Sequence, residues 1–239
     1  MGADLEMKMR SYSLIGLLAL CLPLLAACGN GGDAKDALSS IKAGKGLLTM
    51  TVPGQHKGTA NLASLDPATA ATLRSALEKG GQPALAVGIP TLGYVNIMGV
   101  YGQNGPVQTW ASQTYETVSL NNGVLVATRG FGPDLMTAVA PDLTQVSRAS
   151  GSFHRIYYYL DGADQTVSTD YDCDFAPAGK ETVVILGKAY ATRKVTESCL
   201  GPQTPFENTY WFDASGRLRQ SAQRMTPGLA PVMLQRVID

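Results

Sequence analysis

The chain has 239 residues, of which 45% are apolar, 16% charged and 7% aromatic; it is too apolar to be disordered and long enough to bury one core. Nineteen basic residues balance nineteen acidic ones, which excludes recruitment of nucleic acid or an anionic membrane surface by a net field. Twenty-six glycines and thirteen prolines beside sparse Lys and Glu predict many turns and few long surface helices, hence a β-rich chain.

At the start of the chain, Lys8 and Arg10 precede an apolar run from Leu14 to Ala27 that contains Pro23. The run is shorter than the ~20 residues a spanning helix needs. Positive charge, a short apolar stretch and small residues at its end read as a secretory signal peptide. Asp4 and Glu6 sit badly before the basic region, which points to a start at Met7 or Met9. The segment Leu25-Ala26-Ala27-Cys28-Gly29 resembles the bacterial lipobox, in which the Cys is lipidated and becomes the first mature residue. Gly29 stands where Asp would favour inner-membrane retention, so the resemblance implies a lipid anchor in the outer membrane, with the domain facing the periplasm. The expected organisation is a leader over 1–27, a lipidated tether over 28–45 and a single β-rich domain over 46–239.

Downstream, Asp33 to Ala43 has the spacing for a helical turn or two, with Ala37, Leu38 and Ile41 on one face. Asp66 to Lys79 is the clearest helix: Asp66 suits the N-cap, Pro67 the first helical position, and Gly80 the stop. Strands are predicted over Tyr94–Tyr101, Val107–Ser112, Thr114–Leu120 and Val124–Arg129, with a hairpin at Asn121-Asn122-Gly123. After Gly132-Pro133, Asp134 is expected to cap a short helix through Ala140. Further strands are predicted over Phe153–Leu160, Thr166–Asp174, Thr182–Leu186, Tyr190–Glu197, Thr209–Phe212, Arg217–Arg224 and Val232–Val237. Strands at this spacing without a βαβ pattern indicate an all-β, mainly antiparallel barrel or sandwich with one or two short helices near its N-terminus.

The chemistry-bearing residues are few. There is no Gly-x-Ser-x-Gly elbow and no phosphate-cradling loop, and His56 and His154 lack the neighbours of a zinc site. No catalytic residue, metal or cofactor is therefore assigned. Asp170, Asp172 and Asp174 alternate with Tyr171 and Cys173, which places three carboxylates on one strand face; a weak cation site or a solvated face would both fit. Arg217 and Arg219, in line with Ser221 and Gln223, would form a row able to pair with acidic sugars or simply to face solvent. Trp110, Trp211 and Tyr157-Tyr158-Tyr159 could stack on sugar rings, although large aromatics in a β-domain more often fill a core. Cys173 and Cys199, exported to an oxidising compartment, are expected to form a disulfide; two reduced buried thiols are the alternative.

Three stretches carry a family resemblance: Thr109-Trp110-Ala111-Ser112, the segment from Asn122-Gly123 through Thr128-Arg129-Gly130-Phe131-Gly132-Pro133-Asp134-Leu135-Met136, and Asn208-Thr209-Tyr210-Trp211-Phe212-Asp213 through Gly216 to Gln223. They resemble the YjbF/GfcB group of outer-membrane lipoproteins associated with group 4 capsule and exopolysaccharide production. The likeness runs roughly from Leu47 to the C-terminus. It implies a β-rich single domain exposed to the periplasm and a role in making or exporting a polysaccharide, without implying a catalytic mechanism. Arg129, Asp134, Asn208, Trp211, Arg219 and Gln223 are motif positions. With Arg217, all but Asn208 are the candidate contacts for polysaccharide or partner. Arg129 lies close enough in sequence to pair with Asp134 across the glycine turn, and Tyr210-Trp211 would offer one ring to each face of a sheet.

These readings lead to a non-enzymatic, membrane-tethered accessory factor of capsule or exopolysaccharide production, with exopolysaccharide and export-machinery proteins as partners and no nucleic acid. A carbohydrate-active lyase or hydrolase would instead require paired carboxylates or an acid–base pair in a cleft. An envelope structural lipoprotein contacting a β-barrel partner is the third possibility.

Overall fold

In the computed structural model, residues 65–239 are described. The expected leader, the lipidation site Cys28 and the helix over Asp33–Ala43 lie outside them. The first element is α1 (Pro67–Gly80). Asp66 caps it by accepting from the Ala68 and Thr69 amides, Pro67 occupies the first turn, and Gly81 closes it in the left-handed conformation.

Twelve strands follow: β1 (Ala84–Ile89), β2 (Tyr94–Asn104), β3 (Val107–Ala111), β4 (Thr117–Asn121), β5 (Val124–Arg129), β6 (Thr137–Val139), β7 (Ser152–Leu160), β8 (Thr166–Ile185), β9 (Lys188–Leu200), β10 (Phe206–Asp213), β11 (Leu218–Gln223) and β12 (Val232–Ile238). A short helix, α2 (Leu143–Ser147), lies between β6 and β7. Consecutive strands pair antiparallel, except β5 with β6, and β12 returns to pair with β1. The result is an up-and-down barrel whose one break in the ladder falls between β5 and β6. Pairing the first and last strands leaves no edge at the termini.

Alternation along the strands sorts residues to the two faces of this wall. Leu85, Val87 and Ile89 of β1 point inward with Met98, Trp110, Val118, Tyr157, Tyr171 and Leu234. Ala84 and Ala86 point outward, where they meet Ala70 and Leu73 of α1 together with Trp211, Val237, Val183 and Ile185. A third group, including Val124, Phe175, Tyr210 and Phe212, fills the interior beneath Val146 of α2. A round twelve-stranded barrel would enclose an open lumen, but here residues from opposite walls meet, so the interior is a packed core.

The structure corrects several sequence expectations. β1 was not predicted as a strand; all six of its residues are buried, so it shows no alternation of polar and apolar positions to read. The helix expected after Asp134 is absent: residues 137–139 form β6, and the helix begins later, where Asp142 accepts from the Gln145 amide. β4 starts at Thr117 rather than Thr114, because Tyr115 adopts φ 70° and Glu116 and Ser112 close a tight connection. The two strands predicted over 166–174 and 182–186 are one long strand, whose register shifts between Pro177 and Lys180. That bulge lies where Pro177 and Gly179 interrupt the pattern, and beyond it Val183 and Ile185 pack on the outer face beside α1.

Candidate functional site

The break between β5 and β6 is closed by side chains. The Thr128 amide donates to the Leu135 carbonyl at 2.9 Å, and the Leu135 amide donates back to Thr128 Oγ1 at 2.9 Å. Asp134 accepts from Thr128 Oγ1 at 2.8 Å, the Gly130 amide at 2.8 Å and the Phe131 amide at 3.3 Å. The Arg129 guanidinium donates to the carbonyls of Leu135 and Met136 at 2.9 and 3.0 Å. The expected Arg129–Asp134 ion pair does not form, because each side chain is occupied by backbone groups that a regular ladder would otherwise satisfy. Gly130 has φ 90°, and a Cβ there would stand 3.2 Å from Glu116 Cα, so the latch requires glycine at this point. Asp134→Ala removes three hydrogen bonds and is expected to cost about 1–3 kcal/mol in urea unfolding, with faster amide exchange along β5. Unchanged stability and exchange would contradict this role.

Inside the barrel lies a polar network. Arg155 of β7 reaches past β8 to Glu197 of β9, with Nε 2.5 Å from Oε1 and Nη2 2.9 Å from Oε2. Tyr210 donates its phenol to Glu197 Oε2 at 2.8 Å, and Asn208 donates Nδ2 to the same oxygen at 2.8 Å. Asn208 Oδ1 in turn accepts from the Arg224 amide at 2.7 Å. Burial, and then the charge of Glu197, hold the Tyr210 phenol well above its usual pKa, so it remains a donor. Gln223 ties β11 to β5 across the interior: it accepts from the Leu125 amide at 2.8 Å and donates to the Gly123 carbonyl at 2.9 Å. Two of the motif positions, Asn208 and Gln223, are thus internal ties with no exposure to a partner.

The remaining candidates separate. Trp211 faces outward beneath α1 and donates its indole N–H to Glu181 at 2.9 Å, while Tyr210 faces inward, as their alternation implies. A register shift opposite Trp211 breaks the row expected along β11. Ser221 and Gln223 point inward, whereas Arg219 lies over the Tyr190 ring and pairs with Asp213 at 2.6 Å and with Asp239. Arg217 pairs with Asp239 as well. His154 is half exposed on the outer wall and bonds Asp172 at 2.8 Å; Asp170, Asp172 and Asp174 do share that outer face. Cys173 and Cys199 stand directly opposite each other in β8 and β9, joined by a disulfide with both sulfurs buried.

At the end of the barrel that carries the β2–β3, β4–β5 and β10–β11 turns, a cavity of about 920 Å³ opens. Arg217 contributes to its wall, and so do Trp110 and Arg236. Arg155, Glu197 and Arg236 were not singled out from the sequence. For the first two a signal existed: Arg155 is in phase with Tyr157 and Tyr159, and Glu197 with Val195 and Cys199, so opposite charges fall on apolar faces of two strands.

The fold has a counterpart among solved structures: the hypothetical lipoprotein YmcC from Escherichia coli K12 matches with a TM-score of 0.57 and 22% identity over 64% of this chain and 85% of that one. No functionally curated protein matches the chain. Residues 58–237 match the family described as group 4 capsule polysaccharide lipoprotein GfcB, YjbF, and contain the barrel latch, the internal ties and the paired cysteines. The chain belongs to this YjbF family.

Proposed function

We propose that the protein is a lipid-anchored, non-enzymatic accessory factor in the production or export of a capsular polysaccharide, held by Cys28 in the outer membrane with its barrel in the periplasm. Membership of a capsule-polysaccharide lipoprotein family over residues 58–237, behind the lipobox-like Leu25–Gly29, carries this reading. The exposed carboxylates of Asp170, Asp172 and Asp174 on the outer wall of β8 suit a barrel standing in water, because charge on a lipid-facing wall is costly.

The state of the carboxylates supports a non-enzymatic role. Glu197 is wholly buried and bonded to Arg155, Asn208 and Tyr210. At the cavity, Asp142 caps α2, and the Thr144 hydroxyl followed by the Gln145 amide lowers its pKa, the opposite of what a general acid needs. Asp239 is engaged by Arg217 and Arg219.

Deleting the gene is expected to reduce cell-associated or released polysaccharide under producing conditions, and unchanged amounts would overturn the reading. Cys28→Ser is expected to remove the protein from the outer-membrane fraction and abolish labelling by radioactive palmitate; retained label would refute the anchor. The partners that fit this role are the polysaccharide itself and proteins of the export machinery.

A further inference from the structure

The wall of the cavity at the barrel mouth includes two side chains, Trp110 and Arg236, whose donors have no hydrogen-bond acceptor among the described residues. Trp110 is fully buried, and its indole N–H has no acceptor among the described residues. The Arg236 guanidinium lies 5.6 Å from the centre of the Trp110 ring. Unlike its neighbours Arg217 and Arg219, which share Asp239, it forms no hydrogen bond or ion pair among the described residues. Burial lowers the Arg236 pKa; the charge of Asp239 opposes the shift, and Arg217 and Arg219 add to it, so the two arginines that claim Asp239 leave Arg236 with a charge only partly compensated. A guanidinium is a five-donor fork suited to a carboxylate, and buried donors normally find partners.

We propose that this mouth is a binding site for an acidic saccharide, with the sugar carboxylate on Arg236 and the buried Trp110 ring backing the guanidinium. Gln108, also in the wall, supplies an amide suited to a sugar hydroxyl. The cavity, at about 920 Å³, falls within the ~300–1,000 Å³ typical of ligand sites. The inference rests on the polysaccharide role proposed above and names the chemistry that role would recognise.

The chain has two tryptophans, so its indole ¹⁵N–¹H spectrum contains a reporter, Trp110, and an internal control, Trp211, whose N–H is bonded to Glu181 on the outer face. With the full-length lipidated protein in detergent micelles, trigalacturonate or a glucuronate-containing hyaluronan tetrasaccharide is expected to shift the Trp110 signal and leave Trp211 in place. Maltotriose, which is neutral, is expected to shift neither signal. Arg236→Gln should weaken acidic-saccharide binding by about tenfold or more, the loss of a charge-assisted pair, with the Trp211 signal reporting that the variant is folded. No Trp110 shift with either acidic probe, an equal response to maltotriose, or unchanged affinity in folded Arg236→Gln would each overturn the site. In a deletion strain that has lost polysaccharide, full restoration by Arg236→Gln would overturn the site and leave the accessory role standing. A deletion strain with no polysaccharide defect would overturn the role itself.

Discussion

Arg155→Met is expected to destabilise the barrel by about 3–5 kcal/mol, the range for removing one partner of a buried ion pair. Arg155 is 1% exposed and Glu197 0%, so water cannot replace the guanidinium. The variant leaves a carboxylate in the core with only Asn208 and the Tyr210 phenol as donors. Its effect should spread beyond β7, because Tyr210 and Asn208 belong to β10 and Asn208 also holds the Arg224 amide beyond β11. Adding Glu197→Leu to Arg155→Met removes the stranded charge and should recover part of the loss, since apolar replacement of an entire buried pair is often tolerated. Urea denaturation followed by far-ultraviolet circular dichroism measures both variants. A loss below about 1 kcal/mol in the single variant, or no recovery in the double, would show that the network is not a structural keystone.

The same network shows where strand periodicity informs and where it stops. Alternation along β8 separates Tyr171 and Cys173 from the three aspartates, as the sequence spacing predicts, with the former inward beside Phe175 and the latter outward. It likewise splits Tyr210 from Trp211. Polar residues in phase with apolar ones, such as Arg155 and Glu197, carry the same information, but their partnership depends on which strands flank β8. That is settled by the closure of the whole barrel, which no local pattern encodes. β1 escapes for a related reason: with α1 outside and the core inside, both its faces are apolar.

The latch and the mouth were differently legible. The glycines around Phe131 announce a sharp turn, but Asp134, expected to cap a helix after it, instead accepts from the Gly130 and Phe131 amides before it, and the carbonyls that draw Arg129 away from Asp134 exist only because β5 and β6 meet without a regular ladder. Arg217 and Arg219 were visible as a pair. Their separation from Ser221 and Gln223 follows from a single register shift, and one residue of slip exchanges the faces of a strand. Arg236 and Trp110 meet through the neighbourhood of β12, β1, β2 and β3 around the barrel, a proximity that only the closed topology creates.

Removing the disulfide is the second large effect. Cys173→Ala combined with Cys199→Ala is expected to cost about 2–5 kcal/mol, as for native disulfides of exported domains. The two cysteines are 26 residues apart, for which the chain-entropy account gives roughly 3–4 kcal/mol. The β8–β9 hairpin is already closed at its Leu186-Gly187 turn, and the bridge clamps the opposite end, where β9 leaves the barrel at Leu200. The next residue, Gly201, follows a path on which a Cβ would stand 2.5 Å from the Asp170 carbonyl, so that exit tolerates little displacement. Loss of the clamp should therefore let the hairpin open from this end, with amide exchange accelerating first over 170–174 and 197–200. Mass spectrometry of non-reduced peptides from exported protein should find the linked pair, and two free, alkylatable thiols in the folded protein would end the argument. Glu197 lies two residues before Cys199 and faces the same interior, so opening the clamp also loosens the carboxylate that Arg155 holds. Combining the cysteine and Arg155 substitutions should consequently depart from additivity by about 0.5 kcal/mol or more, as expected for residues sharing one packed neighbourhood.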